Sequence, residues 1–238
     1  MTSTTTGTTI GLRDGVYVCR TQDIQVFLDV WKDKYFCLDR AKSARFAEMQ
    51  KTPHIGNLSP GARELAERLV SAGFLTRGGG RRIAQPSRPA PTASAYDDLS
   101  DAATEKPLRH GIVFAACVAR AAYLRRRRAF RGVVDAMART KSGSRRQGTR
   151  PPDAELRRAI SLARLAEHLA PYFYTSRDQC FFTSFLLADF LTRCGVDACW
   201  EFGVRVSPFG AHCWVEHQGV VLNDSLAHVL EFEKIMSV

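Results

Sequence analysis

Residues 177–195 have the sequence RDQCFFTSFLLADFLTRCG, and the other predicted elements of the C-terminal half are arranged around this segment. Its apolar run predicts a buried helix that begins near Cys180 and extends to Cys194, and Gly195 fits the position just after a helix end. A thiol in the first turn of a helix faces unpaired backbone N–H groups and the positive end of the helix dipole, and both favour the nucleophilic thiolate. We therefore interpret Cys180 as the candidate nucleophile of a thiol site.

Three strands are predicted after this helix, and they bring a histidine and an aspartate together. The strands cover 198–206, 211–216 and 220–222 or beyond. If the last loop has three residues, 217–219, with Gly219 in the left-handed conformation, His212 pairs directly with Asp224. A two-residue loop would shift the pairing by one position and turn the two side chains to opposite faces. The glycine position favours the three-residue loop, so we expect Asp224 to orient the His212 imidazole.

Other polar residues of this region receive smaller roles. Gln179 and the Cys180 amide are candidate donors to an oxyanion. Trp214 shares the face of His212 and either shields the site or belongs to the core, whereas Cys213 alternates away from that face. The nearby cysteines and histidines match no standard spacing of zinc ligands, so we predict no metal site.

Composition divides the chain into two predicted domains. Residues 1–11 are polar and are predicted to be disordered. An N-terminal domain covers 12–77, and a Gly-, Pro- and Ser-rich segment, 78–104, is the predicted flexible linker. The second domain, 105–238, contains the thiol site.

The N-terminal domain has the pattern of a winged helix. Three runs rich in β-branched and aromatic residues predict a three-stranded meander over 16–19, 24–31 and 34–39. Asp39 is the predicted N-cap of a helix near 41–50, and Ser59 is the N-cap of a helix over 60–72. A small structural domain with an ordinary buried core would give the same periodicity.

The C-terminal domain begins with predicted helices. Residues 107–140 predict one helix whose second half is rich in arginine, and Asp153 is the predicted N-cap of an amphipathic helix over 154–170. We therefore predict an α+β fold, with a winged-helix-like domain followed by helices packed on a small antiparallel sheet.

Charge and cysteine content limit the classes of function. The chain has 238 residues, a net charge of +10 and seven cysteines, an odd number that argues against a disulfide framework. No apolar run is long enough to span a bilayer and the Thr-rich start lacks the features of a signal peptide, so we expect a cytoplasmic protein without a membrane partner. The arginine-rich segment 125–158 is better explained by a solvated face or an acidic partner than by nucleic acid, because interleaved aromatic residues are missing.

The N-terminal domain resembles the leader-peptide recognition element of ribosomal-peptide maturation systems. The resemblance lies in segments 14–18, 26–29 and 34–39, together with 58–59 and 73–75. In that family the leader adds as an extra strand to the third strand, in a groove completed by the last helix. The resemblance implies a strand edge and a helix wall that bind the leader. The implied leader-binding residues are Tyr35, Phe36, Cys37, Leu38, Leu65 and Leu69.

The second domain resembles the B proteins of lasso-peptide biosynthesis, which are transglutaminase-like cysteine peptidases. The matching features are Cys180 at a helix start, the helix end 191–196, the Gly-Val pair in 202–205, the run AHCWVE at 211–216 and Asn223-Asp224. The resemblance covers 107–238. At the position of Cys213, small residues such as alanine are common in that family.

This resemblance implies a peptidase with the triad Cys180, His212 and Asp224 that binds and removes the leader of a lasso-peptide precursor. A partner macrolactam synthetase, similar to asparagine synthetase, then joins the freed amine to a carboxylate side chain. The resemblance also implies ATP dependence, although the sequence has no P-loop and shows no cofactor site. Two alternatives stay open: a catalytically inactive leader-binding scaffold, and a nucleic-acid-binding protein.

Overall fold

The computed structural model describes residues 8–84, 89–96, 107–144, 151–173 and 180–238. These residues form two compact units, one drawn from 1–87 with 204–210 and the other from 88–203 with 211–238. Helices and strands both contribute, so the predicted mixed helix-and-sheet class is confirmed. The winged-helix character of the N-terminal part stays a prediction.

The first unit contains the predicted meander and two helices. Its elements are β1 (Ile10–Leu12), β2 (Val16–Thr21), β3 (Ile24–Asp29), β4 (Lys34–Cys37), α1 (Arg40–Lys51), α2 (Pro60–Ser71) and β5 (Leu75–Arg77). Strands β2, β3 and β4 form an antiparallel sheet in that order, and β1 pairs antiparallel with β5. The two helices cover one face of the meander, and the core between them includes Val18, Phe27, Phe46, Met49 and Leu69.

Two predicted boundaries of this unit are confirmed and others are wrong. The Asp39 carboxylate accepts the Lys42 N–H at 2.8 Å and so caps α1 as predicted, while Ser59 caps α2. Strand β3 ends at Asp29 rather than at residue 31, because the Asp29 carboxylate accepts the Trp31 N–H at 3.0 Å and turns the chain. Strand β4 likewise ends at residue 37 instead of 39.

The prediction of disorder over 1–11 is wrong for the residues that the structure describes. Ile10 lies in β1, its side chain is buried, and its N–H donates to the Pro53 carbonyl oxygen at 2.8 Å. Residues 1–7 lie outside the described residues. A single apolar strand thus begins inside a segment whose overall composition is polar.

The second unit places helices on a five-stranded sheet. Its elements are β6 (Ala93–Ser94), α3 (Pro107–Arg127), α4 (Phe130–Ser144), α5 (Pro152–Leu169), α6 (Cys180–Arg193), β7 (Cys199–Val206, of which 199–203 belong to this unit), β8 (Phe209–His217, of which 211–217 belong to this unit), β9 (Val220–Val221), α7 (Leu226–Val229) and β10 (Glu233–Ser237). The strand order is β10-β7-β8-β9-β6, and β6 runs parallel to β9. Part of the predicted linker 78–104 is therefore a strand of this sheet.

Helix α6 is the centre of the second unit. Residues 184–192 are all buried, and α3, α4 and α5 pack against the helix. Gly195 has a φ of 79°, and the Val196 N–H donates to the Leu191 carbonyl oxygen at 2.9 Å, which is the Schellman ending that the sequence predicts. The position of Cys180 is therefore set by a helix that is fixed at its far end and along its length.

The predicted helix over 107–140 is two helices. The helix is interrupted at Arg128 and Ala129, between α3 and α4. The Phe130 ring packs against Phe181, with centroids 5.4 Å apart, and against Phe202, with centroids 5.8 Å apart. Continuous helical geometry would carry the apolar residues of α4 away from α6. Helix α3 therefore ends at Arg127, and α4 begins at Phe130.

Helix α5 begins two residues earlier than predicted, at Pro152, and ends at Leu169. Asp153 is not its N-cap: Pro151 occupies that position without a side-chain hydrogen bond, and Asp153 lies in the first turn. A proline at the first helical position has its φ preset for the helix, which explains the earlier start. Among the described residues, no helix has both the length and the apolar character needed to cross a bilayer.

Candidate active site

Cys180 is the first residue of α6, as predicted, and its side chain is partly buried. Ser184, one turn later and fully buried, ties this end of the helix to the sheet. Its hydroxyl lies 2.5 Å from the Cys180 carbonyl oxygen and accepts a hydrogen bond from Trp200 Nε1 at 2.8 Å. The thiol is therefore held in place over β7 and β8. Gln179, the predicted oxyanion donor, lies outside the described residues.

His212 lies on β8 in an aromatic environment that fixes its ring. The imidazole stacks on the Trp214 ring, with centroids 5.9 Å apart and planes at 18°. The Phe232 ring is tilted relative to the imidazole, and its centroid lies 5.2 Å from that of the imidazole. Its Nε2 atom is 2.6 Å from Asp224 Oδ2. The imidazole is also hydrogen-bonded to the Cys180 thiol, and Nδ1 is the ring nitrogen that remains for this contact. The structure thus brings the three predicted residues together.

The predicted register of the β8–β9 hairpin is wrong. Glu216 pairs with Val221 and His217 with Val220, so the loop has two residues, Gln218 and Gly219, rather than three. Both loop residues have positive φ angles, 51° and 79°, as a type I′ turn requires. Sequence reasoning assigned the left-handed conformation to the glycine alone, and in this register a continued ladder would turn His212 and Asp224 to opposite faces.

Asp224 reaches His212 because the chain leaves the ladder before it. The Leu222 N–H still donates to the Val215 carbonyl oxygen at 2.9 Å. The Val215 N–H, however, donates to the side chain of Asn223, at 2.8 Å from Oδ1. From there the chain turns into the first residues of α7. The side-chain amide of Asn223 thus replaces one backbone hydrogen bond of the sheet, and the Asp224 side chain after it points towards the imidazole.

Three further contacts hold Asp224 in this position. The Ser225 N–H donates to Oδ1 at 2.7 Å, and the Ser94 hydroxyl on β6 donates to the Asp224 carbonyl oxygen at 2.6 Å. His228 Nδ1 lies 2.9 Å from Oδ2 and 3.1 Å from Oδ1. The carboxylate is therefore fixed from its own loop and from α7, while β6 fixes the backbone of Asp224.

These contacts set the charges of the site. Hydrogen bonds from the Cys213 thiol and from His212 outweigh burial and lower the pKa of Cys180 to about 4. Burial lowers the pKa of His212, but the hydrogen bonds with Asp224 and Cys180 and the charges of both groups raise it to about 9. Burial opposes ionisation of Asp224 too, yet the hydrogen bonds from His212 and His228 hold its pKa below the usual range. Near neutral pH the site is a thiolate–imidazolium pair beside a carboxylate.

Two contributing residues were not predicted from the sequence. Cys213 does alternate away from the His212 face, but that direction leads it under Cys180, where it is buried and donates to the thiolate; this contact and burial raise its own pKa. His228 follows Asp224 by four residues, and Ser225 caps α7 between them. An N-cap serine with a histidine three residues later was the signal for the second imidazole on Asp224.

A buried ion pair supports Trp214 behind the imidazole. Trp214 Nε1 donates to Glu216 Oε1 at 2.6 Å, and Lys234 Nζ lies 2.8 Å from the other carboxylate oxygen. Gly203 on β7 leaves room for the indole, since a Cβ atom there would lie 2.7 Å from the Trp214 ring. Glu216 is thus a structural partner of Trp214 on the same strand and of Lys234 on β10.

The residues implied in leader binding divide into two groups. Leu38, Leu65 and Leu69 are buried in the core of the first unit, so their side chains do not form a surface. Phe36 and Cys37 are exposed, and Tyr35 is partly buried. All three residues lie on β4, which is an edge strand of the described three-stranded sheet. The Phe36 ring stacks on Phe74 with centroids 5.2 Å apart.

Comparison with known proteins gives the family. The family model described as the transglutaminase-like superfamily matches residues 113–237, more than half of the chain, and the matched range contains the whole thiol site. The chain therefore belongs to the transglutaminase-like superfamily, whose members are typically cysteine peptidases or transferases. No curated protein and no solved structure matches the chain.

Proposed function

We propose that this chain is a cysteine peptidase that binds the leader of a lasso-peptide precursor and cleaves it from the core peptide. The observation that supports the peptidase most directly is the 2.6 Å contact between His212 and Asp224 beside the thiol at the start of α6. An inactive scaffold would not need an aspartate held by three separate elements. The lasso-peptide substrate rests on the resemblance of the sequence.

The chemistry follows from the three side chains. The Cys180 thiolate attacks the scissile carbonyl carbon, and the negative charge passes to the carbonyl oxygen. When the tetrahedral intermediate collapses, imidazolium His212 gives its Nδ1 proton to the leaving amine, and a thioester on Cys180 remains. Neutral His212 then takes a proton from water, which attacks the thioester and releases the leader carboxylate. Asp224 keeps the Nε2 proton in place throughout.

The first N–H groups of α6 are candidate donors to the oxygen of the attacked carbonyl. The N–H groups of the first turn have no intrahelical acceptor, and the Cys180 N–H belongs to that turn. A carbonyl oxygen that gains negative charge next to the thiol is stabilised by such donors. The Cys180 amide therefore keeps its proposed role as an oxyanion donor.

The leader is proposed to add to β4 as a fourth strand. The Leu38 N–H donates to the Gln25 carbonyl oxygen on β3, so the N–H group of Cys37, one residue earlier, points away from β3. A strand laid along this edge would bond this group, and the exposed Phe36 ring, which stacks on the partly buried Phe74, offers an apolar contact. The buried side chains of Leu38, Leu65 and Leu69 pack in the core of this unit and do not contact the leader directly.

The structure does not offer a fitting site for ATP in the basic glycine-rich loop 78–82. The Arg81 N–H donates to the Leu12 carbonyl oxygen at 2.9 Å, and the Arg81 guanidinium donates to the Val16 carbonyl oxygen. A Cβ atom on Gly80 would lie 2.6 Å from that same Leu12 oxygen, so the glycine serves close packing against β1. The loop uses these groups internally rather than for phosphates, and no step above passes through a nucleotide.

Substitution of Cys180 tests the peptidase. The full chain carrying Cys180→Ala should bind the leader with the affinity of the parent chain while precursor cleavage, followed by mass spectrometry, stops. Cys199→Ala is the matched control, since Cys199 lies on β7 and has no part in the proposed chemistry. Cleavage at the parental rate by Cys180→Ala would disprove the thiol mechanism.

Substitution of Cys37 tests the leader edge. Cys37→Pro removes one outward N–H group without breaking the β3–β4 bonds, and a hydrogen bond contributes about 0.5–1.5 kcal/mol. We expect leader binding, measured by titration calorimetry, to weaken about two- to tenfold. Cys37→Ala keeps the N–H group and should bind like the parent chain. Equal affinities for the proline and alanine variants would argue against strand addition at β4.

A further inference from the structure

The Asp224 carboxylate lies between two imidazoles, and the mechanism above uses one of them. His212 comes from β8 and His228 from α7, with ring centroids 4.7 Å apart. His228 is bonded to both oxygens of the carboxylate, yet its side chain is 44% exposed, whereas that of His212 is 14% exposed. The cluster therefore has a buried side next to the thiol and an open side towards solvent.

The three side chains have the composition and spacing of a metal site. One ligand atom from each of His212, Asp224 and His228 can be chosen so that all three lie within 4.8 Å of one another. Two imidazole nitrogens and one carboxylate oxygen are a common donor set for Zn²⁺, with a water molecule in the fourth position. No standard sequence spacing predicts this set, because its members come from a strand, a turn and a short helix.

We propose that His212, Asp224 and His228 form a site for a divalent transition-metal ion, Zn²⁺, and that the bound ion switches off the thiol chemistry. The inhibition rests on the proposed peptidase function, whereas the binding of the ion does not.

Small movements convert the hydrogen-bonded cluster into a coordination site. Ligand atoms around a tetrahedral Zn²⁺ lie about 3.3 Å apart, given bond lengths of about 2.0–2.1 Å. His212 Nε2 and His228 Nδ1 lie 2.6 and 2.9 Å from Asp224 Oδ2, so each needs to move by well under 1 Å relative to the oxygen. The ion takes the place of the protons in these two hydrogen bonds: imidazolium His212 releases its Nε2 proton to solvent, and His228 coordinates through Nδ1 as the tautomer that keeps one proton on Nε2. Because the His228 side chain is exposed, the ion can reach the site from solvent on this side.

Coordination and catalysis exclude each other at His212. An imidazole that binds a metal through Nε2 retains a single proton, on Nδ1. It has no free nitrogen with which to take a proton from water, and donation of the Nδ1 proton to a leaving amine would leave an imidazolate. Asp224 is at the same time withdrawn from its hydrogen bond with Nε2. A Zn²⁺ ion at this site therefore removes both proton-transfer functions of His212.

Two alternative roles of these side chains predict different results. His228 could serve purely as a hydrogen-bonding support of Asp224, in which case the chain takes up no metal through these residues. Alternatively, Zn²⁺ could bind the Cys180 thiolate with His212, in which case His228 would not affect the affinity. Both are decided by measuring metal binding in chains that lack the thiol.

The binding experiment uses the full chain with Cys180→Ala, titrated with Zn²⁺ by calorimetry. We expect one site that His228→Gln weakens by at least about 100-fold, since loss of an outer hydrogen-bonding partner of a metal ligand alone costs 10–100-fold. His168→Gln is the matched control, because this exposed histidine on α5 bonds its own helix at the Arg164 carbonyl oxygen. If His228→Gln unfolds by circular dichroism, His228→Phe gives the same comparison and keeps the ring contact with Phe232.

Clear outcomes overturn the binding proposal. Equal Zn²⁺ affinity with and without His228 excludes the site, and so does loss of the site on Cys180→Ala alone. Binding of Co²⁺ to the intact chain with a thiolate-to-metal charge-transfer band that disappears with Cys180→Ala would assign the metal to the thiol instead. Mg²⁺, which prefers oxygen ligands, should not compete.

The inhibition is tested separately with the thiol present. Zn²⁺ should stop precursor cleavage, and a chelator should restore it. In His228→Gln, inhibition relative to that variant's own metal-free rate should require at least about 100-fold more Zn²⁺. Zn²⁺ binding through His228 without inhibition overturns the switch. A chain that binds Zn²⁺ through His228 but cleaves no precursor would disprove the proposed function and leave the metal site standing.

Discussion

The contact between the two neighbouring thiols makes a specific prediction about pH. Cys213 is the largest of the causes that lower the pKa of Cys180 to about 4, ahead of His212. Cys213→Ala removes the S–H donor and leaves the imidazole in place. Because the lost hydrogen bond stabilises the charged form of Cys180, its removal raises the Cys180 pKa, and less thiolate is present at acidic pH.

The size of the shift follows from the energy of one charged hydrogen bond. Such bonds contribute about 1.5–3 kcal/mol, and about 1.4 kcal/mol corresponds to one pKa unit. The Cys180 pKa should therefore rise from about 4 to between about 5 and 6. At pH 5 the thiolate fraction then falls about two- to tenfold, while at pH 7 the thiolate still predominates.

The measurement is the pH profile of kcat/KM for precursor cleavage. In the parent chain it should rise through the Cys180 pKa near 4 and fall through the His212 pKa near 9, since activity needs a thiolate and an imidazolium together. In Cys213→Ala the acidic limb should move up and the alkaline limb should stay. The pH dependence of Cys180 alkylation, read by peptide mass, gives the same shift without a substrate.

A control variant separates the hydrogen bond from the cavity. Cys213→Ser keeps an O–H donor at the same place, so its acidic limb should remain closer to that of the parent chain. If the acidic limb of Cys213→Ala superimposes on that of the parent, Cys213 does not stabilise the thiolate. A uniform loss of rate at every pH, with both limbs unmoved, would likewise show that Cys213 acts through packing alone.

Three further substitutions test other parts of the structure. Gly203→Ala places a Cβ atom 2.7 Å from the Trp214 ring, so overpacking should lower the free energy of unfolding in urea by about 1–3 kcal/mol; an unchanged value would show that the indole can move. Asn223→Ala removes the acceptor of one N–H group and releases Asp224, so single-turnover rates should fall more than substrate affinity does, and the reverse pattern would contradict this role. Phe36→Ala removes an exposed apolar contact of β4 and should raise KM at unchanged kcat, whereas a fall in kcat alone would place Phe36 outside leader binding.

The sequence predicts those parts of the fold well whose boundaries depend on residues close together in the chain. The beginning and end of α6 follow from an apolar run and one glycine, and the cap of α1 follows from Asp39. The break between α3 and α4 was missed because arginines are good helix formers, so propensity favours continuity there. Tertiary packing of Phe130 against α6 and β7 decides the break, and no local signal reports it directly.

The structure brings the three predicted side chains together by a construction that differs from the predicted one, and their catalytic roles stay a prediction. The identities of Cys180, His212 and Asp224 followed from a thiol at a helix start and from the resemblance, and the structure brings them together. His228 was missed although its signal is local, four residues after Asp224, whereas Cys213 was missed because its contact runs from a strand to a helix end. Such contacts depend on how elements pack, which alternation along one strand does not determine.

The hairpin register shows why a correct pairing can follow from a wrong derivation. A two-residue turn fixes the ladder so that continued strands would separate His212 from Asp224, and yet the two side chains lie 2.6 Å apart. The ladder stops where Asn223 offers its side chain to Val215 instead of a backbone carbonyl. The position of the aspartate therefore depends on where the strand ends rather than on its register, and the asparagine before it is the residue that ends the strand. An Asn-Asp pair after a short strand is for this reason a better indication of such a site than the spacing between histidine and aspartate.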